Sequence, residues 1–318
     1  MKKGLLLGAL LLGAASFSLL TGFDSAATAE DVLQNYLDAS KNVQTVSADA
    51  DLVLDASIAV PAADMSMGLS ASGTEAIAAT MDPLGMKADA SFDVSMMGQN
   101  MNVKVAMYGV TEEDGQFALY MLADTGEGDA EWQKTAIDSA EIQQLLEQAM
   151  TMQLDASSLP VSFELAPAAV DVSGKECYEL YTSMGMNDLL LTVQPYLDQV
   201  MPEGQGISAE DLQTVGALLG GIQFNLSVDV DCEEYRPMKV HLDLDGSDWT
   251  TIAALLASSF GTDDEGNPYE VNLAVDTVSL DIVYDYETPV EITVPAEALS
   301  AAESDPDSLL EMVEDAAA

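Results

Sequence analysis

Basic residues are scarce in this chain. Its 318 residues include 9 Lys+Arg against 55 Asp+Glu, a formal charge of −46. Such a surface repels nucleic acid, anionic membranes and teichoic acids, and it attracts cations or basic proteins. The same charge also serves plain solubility or life in a cation-rich habitat. Histidine occurs once, at His241, on the polar side of a strand pattern between Val240 and Leu242. A histidine-dependent triad would have to use it, and it reads as an ordinary surface residue. No serine sits in G-x-S-x-G, and neither a P-loop nor a strand-to-helix G-x-G-x-x-G is present. With 2 Cys no thiolate zinc cluster can form, and 2 Trp and 7 Phe leave few platforms for a sugar-cleaving cleft. The runs Asp243–Asp248 and Asp263–Asn267 depart from the calcium-loop spacing and read as Asp-Gly turns. The chain is therefore expected to be no enzyme, with no cofactor and no metal.

Long apolar runs are equally rare. The only one approaching a bilayer span is Gly4–Leu20, preceded by Lys2 and Lys3 and followed by small residues ending in Ala27-Thr28-Ala29. That order of charge, apolar run and small residues is a secretory signal, expected to be removed after Ala29. Within it, Leu19-Leu20-Thr21-Gly22 has the form that precedes a lipidated cysteine, but position 23 is Phe23. Without a thiol there is nothing to acylate, so the exported chain is expected to carry neither a lipid nor a transmembrane anchor. The expected location is secreted, or in the cell envelope.

Cys177 and Cys232 fall in two separate strand patterns. An exported setting permits a disulfide between them, closing a loop of ~55 residues worth roughly 3–4 kcal/mol. Two free thiols, or a redox pair without C-x-x-C spacing, are the alternatives.

The exported part opens with a helical stripe, Val32, Leu33, Tyr36 and Leu37, over 31–41. The period then switches to two. Apolar and polar residues alternate over 48–58, less cleanly over 65–80 where Gly68 and Gly73 interrupt, and most cleanly over 86–96. Further strands are expected over 101–107, 117–122 and 132–135, with a helix over 138–150. The second half repeats this plan, with two strands around Ser173-Gly174, helical stretches over 187–200 and 209–219, and strands over 224–230 and 240–244. A helix over 250–260, a hairpin of 271–275 with 278–286, a closing strand 289–295 and a short acidic helix over 307–314 complete it. The fold class is α+β: one strongly curved antiparallel β-sheet, a half-barrel, with helices covering its concave apolar face. The domain division is a signal over 1–29, the half-barrel over 30–303 and an acidic tail over 304–318.

Four passages carry a family resemblance: the leading helix over 30–42, Gly128–Lys134 before a helix, Val228–Val240 with its acidic turn and Pro237, and the closing Tyr286–Pro295. The chain resembles the exported lipoproteins of Gram-positive bacteria that share the LolA/LppX/LprG half-barrel. The resemblance implies a sheet folded around an apolar cavity that holds acyl chains or another hydrophobic ligand, in the envelope of a Gram-positive bacterium. It carries no catalytic residues. Phe23 and the acidic surface depart from the pattern.

The cavity candidates lie on the apolar side of the predicted strands. In the first half they are Leu54, Phe92, Val94, Met96, Val103, Val105 and Met107. In the second half they are Phe224, Leu226, Val228, Leu242, Leu280 and Ile282, joined by Leu190 and Tyr196 from a helical pair that glycines would let move as a lid. Methionines suit ligands of irregular shape, and they equally fill gaps in a core. The expected partner is a lipid or another hydrophobic small molecule. The alternative is an interaction module of the same fold with a filled core, using its acidic face for cations or a basic partner.

Overall fold

A computed structural model describes residues 27–40, 43–61, 64–96, 98–112, 114–126, 130–137, 161–190, 214, 216–260 and 269–303. Residues 1–26, the helix expected over 138–150, most of the helical stretches over 187–219 and the acidic tail lie outside that set.

The first helix, α1 (Ala29–Ala39), starts at a capping box. Thr28 Oγ1 accepts from the Asp31 amide at 3.2 Å, and the Asp31 carboxylate accepts from the Thr28 amide at 3.1 Å. Six antiparallel strands follow as a meander: β1 (Thr45–Val60), β2 (Met65–Met81), β3 (Leu84–Met96), β4 (Gln99–Thr111), β5 (Phe117–Asp124) and β6 (Gln133–Ile137). The second half supplies β7 (Glu164–Leu165), β8 (Val170–Val172), β9 (Lys175–Gly185), β10 (Gln223–Asp231), β11 (Pro237–Asp243) and β12 (Asn272–Asp285). Between β11 and β12 runs α2 (Thr250–Phe260), which lies against β12. A short β13 (Ala302–Glu303) pairs in parallel with β6.

All of these strands belong to one 13-stranded, curved, unclosed sheet, ordered β13-β6-β5-β4-β3-β2-β1-β12-β11-β10-β9-β7, with β8 also on β9. The two meanders therefore meet where β12 pairs antiparallel with β1. α1 packs on the apolar face of the second meander. Val32, Leu33 and Leu37 bury against Leu180, Val228 and Val230.

Three elements differ from the sequence reading. The glycines of β2 do not break it, and it runs unbroken for 17 residues. The expected hairpin over 271–286 is the single strand β12, whose pairing with β1 shifts by one between Thr277 and Val275. That β-bulge lets Leu273 and Val275, of odd number, share a face with Val278 and Leu280, of even number. The expected closing strand, Pro289–Pro295, joins no ladder. A proline at each end removes a ladder donor, and the segment instead crosses the polar face. There Val294 and Ala298 pack on Ala118, Tyr120, Tyr108 and Val110. This explains why Phe117 through Met121 are all buried: β5 is covered on both sides.

The disulfide expectation is also corrected, because Cys177 and Cys232 are free thiols. The register pairs Cys177 with Asp231, which leaves Cys232 one step further along and opposite Glu176. Cys177 lies in β9 and Cys232 in the turn that follows β10, and no bridge joins them.

Candidate functional site

The ladder registers gather the apolar residues of both halves onto one face. One row runs Leu180, Val228, Val240, Ile282, Ala50, Glu75, Ala90, Val105 and Ala123 from β9 to β5. The next holds Leu226, Leu242, Leu280, Leu52, Gly73, Phe92 and Val103. Leu54, Ala71, Val94 and Met101 form a third, and Ala56, Leu69, Met96 and Gln99 a fourth. Met107 and Phe224 occupy the same face in their own strands. Thirteen of the fifteen candidates thus share one surface. Leu190 lies in a helical stretch over 186–190, beside Gly216, and Tyr196 is outside the described residues.

This face is not uniformly filled. Val228 is buried beneath α1, and Leu119 and Met121 form a core with Met107 and Ile137. Toward the other end the cover thins. Leu69 is 37% exposed, Met101 43% and Met96 56%, while Phe92, Val94 and Val103 are half-buried. Val228 therefore acts as core, whereas the β2–β4 candidates line open apolar surface.

Two polar groups on the apolar face escaped the sequence reading. Glu75 is half-buried, and among the described residues it has no hydrogen-bond or ion-pair partner. Burial pushes its carboxyl above the ordinary range. Gln133 of β6 pairs with Met121 and buries its Oε1 without a partner among the described residues. Parity marks Glu75 in the sequence: it takes the place of an apolar residue in the series Met65, Met67, Leu69, Ala71, Gly73, Ile77, Ala79.

The opposite face is polar and crosslinked. His241 sets Nδ1 3.1 Å from Asp281 and Nε2 3.2 Å from Asp243, and Lys239 lies 2.5 Å from Asp281. Ser227 is the register partner of His241, but both ring nitrogens already meet carboxylates, so the serine has no base to activate it. Burial works to raise the Asp281 carboxyl, and the bonds from Lys239 and His241 outweigh it and hold it low. At the far edge Lys134 bonds Glu112 at 2.7 Å, and the Tyr120 hydroxyl donates to the same oxygen at 2.6 Å.

A depression of about 490 Å³ lies across β1–β4. Two adjacent polar-face rows dominate its lining, Val53-Ser72-Asp93-Asn102 and Asp55-Ser70-Ser95-Asn100. It touches the expected set only at Leu54 and Val94, and its chemistry is that of serine, asparagine and aspartate side chains. Among the described residues no group of three or more His, Cys, Asp or Glu side chains is placed to hold a metal ion. Nor is any described helix long and apolar enough to cross a membrane.

No family model matches the chain, and no curated protein matches it. Among solved structures it is similar to the lipoprotein LppX of Mycobacterium tuberculosis, at 10% identity and a TM-score of 0.33, over 83% of this chain and 98% of that one. It is also similar to LprF from Mycobacterium bovis, at 12% identity and a TM-score of 0.32, over 84% and 97% of the two chains. A DUF1329 family protein from Desulfovibrio piger follows at 8% identity and a TM-score of 0.19, over 83% and 93%. Likenesses this distant carry no argument about function, which rests on the face itself.

Proposed function

We propose that this chain is an exported, non-catalytic protein that takes a lipid or another hydrophobic small molecule onto the apolar face of its sheet. The carrying observation is the open apolar surface of β2–β4, where Leu69, Met96 and Met101 stand exposed beside half-buried Phe92, Val94 and Val103. A water-soluble, highly charged chain gains nothing from leaving contiguous apolar side chains in water unless something covers them. Methionine, flexible and polarisable, adapts to a ligand of irregular shape. The four sequence passages that resemble the half-barrel family support the same reading. So does the signal-like leader, which would deliver the protein outside the cytoplasm of a Gram-positive bacterium. With Phe23 in place of a cysteine the chain would travel unanchored.

The test is native mass spectrometry of the secreted chain, followed by solvent extraction and titration with a fluorescent apolar probe. A non-covalent mass that extracts as lipid, or a saturable probe site weakened by Met96→Ser with Met101→Ser, is expected. A bare chain without a saturable probe site overturns the reading. A second reading, an interaction module that uses its acidic outer face, draws on the polar depression containing Asp55 and Asp93. It predicts a cation- or peptide-dependent melting shift with no bound lipid.

A further inference from the structure

We infer that the molecule held on the apolar face is a cationic amphiphile whose ammonium group docks on Glu75. This rests on the reading of that face as a ligand surface. Across β1–β5 and β10–β12, Glu75 is the one charged side chain that the registers place on the apolar face. Every strand-borne lysine among the described residues, Lys87, Lys104, Lys134, Lys175 and Lys239, lies on the opposite face. Among the described residues, no strand-borne lysine therefore supplies a countercharge where this carboxylate sits.

The surroundings leave room for one. The register partners of Glu75 are Ala50 and Ala90, the smallest side chains available, and the next residue of β2 on that face is Gly73. A half-buried carboxylate among alanines, with its ionised form disfavoured by burial, is costly until a cation reaches it. Gln133 Oε1, buried on the same face without a partner among the described residues, is likewise an acceptor. These acceptors suit a ligand that brings N–H groups. From Glu75 the apolar rows run past Phe92 and Val94 to Met96, a path of six residues along β3 from Ala90, or ~20 Å, enough to lay down a long alkyl chain. An anionic lipid would meet Glu75 and the net charge of −46 as two repulsions.

The experiment titrates the full chain with dodecylamine, dodecanol and dodecanoate, each below its micelle concentration, by displacement of the bound fluorescent probe. Dodecylamine is expected to bind at least tenfold tighter than the other two. Glu75→Gln should lower its affinity about tenfold while leaving dodecanol unchanged. Asp49→Asn, a carboxylate removed from the polar face beside Ala76 and away from the depression, should change neither, which separates docking at Glu75 from general attraction to an acidic surface. Near-ultraviolet circular dichroism of each variant confirms that it is folded. Equal binding of amine and alcohol, or equal losses in the two variants, overturns the assignment to Glu75 and leaves the apolar site standing. If none of the three displaces the probe, both the assignment and the ligand-binding reading fall.

Discussion

The ring of Phe92 lies across the backbone of Gly73, its register partner, in the space that a side chain at position 73 would fill. Phe117 and Gly109 repeat the arrangement nearer the buried end. In each case the missing side chain lets an aromatic ring lie flat on the sheet, which thins the layer above it. Gly73→Val should evict the ring and destabilise the protein by about 1–3 kcal/mol in denaturant unfolding. Adding Phe92→Ala should restore part of that loss, because the pair shares one space. A neutral Gly73→Val would show that the ring has another place to go.

Acid stability should depend on the pair at the sheet edge. Hydrogen bonds from Lys134 and then Tyr120 hold the Glu112 carboxyl below its ordinary 4.5, against a smaller opposing effect of burial. A depressed carboxylate stabilises the fold above its unfolded value, and the contribution fades as pH falls through the lower folded value. Glu112→Gln should therefore cost roughly 1 kcal/mol at neutral pH and converge with the parent once the pH has fallen through the lowered folded value. Melting curves across that window check the sign. A difference that grew on acidification would contradict it.

The capping box bears on where the leader is cut. Cleavage after Ala29 would remove Thr28, the cap of α1, together with Ala27, which packs against the helix's core cluster. Losing such a cap costs about 1 kcal/mol. The secreted product is accordingly expected to begin at or before Thr28, as intact mass will reveal. Thr28→Ala should lower stability by about that amount.

Both thiols should remain reduced after secretion. Burial, followed by Asp229 and Asp231, pushes the Cys177 thiol up to about 12, and burial also raises Cys232. Iodoacetamide should leave Cys177 untouched in the folded protein and label both residues after unfolding. An intact mass two hydrogens short would contradict this.

What the sequence made legible was the set of strands whose alternation is local. The pattern of Met86 through Met96 became β3 because every second side chain is apolar and the intervening ones are polar or charged. The failures are all non-local. Asp276-Thr277 reads as a hairpin turn because the apolar parity changes there, and only the pairing with β1 distinguishes a turn from a bulge. Val290, Ile292 and Val294 alternate as a strand would, yet the apolar patch that receives Val294 is built from β4 and β5. Cys177 falls within β9 as expected, but Cys232 falls in the turn just past the end of β10 rather than in a strand. For the site, apolar parity located the face, whereas attention to apolar residues alone passed over the carboxylate that β2 sets within it.

The seam between β1 and β12 has a temporal side. Ser47 and Asp285, bonded across it, are separated by 238 positions in the chain. The first strand to be made therefore waits for almost the last before its second edge is satisfied. Until then each meander can zip by itself, but the full sheet cannot assemble, and pairings this remote in sequence are slow to form. A polypeptide that postpones its central ladder to the end of its synthesis stays loose while it is being made, and becomes rigid once the whole of it is complete.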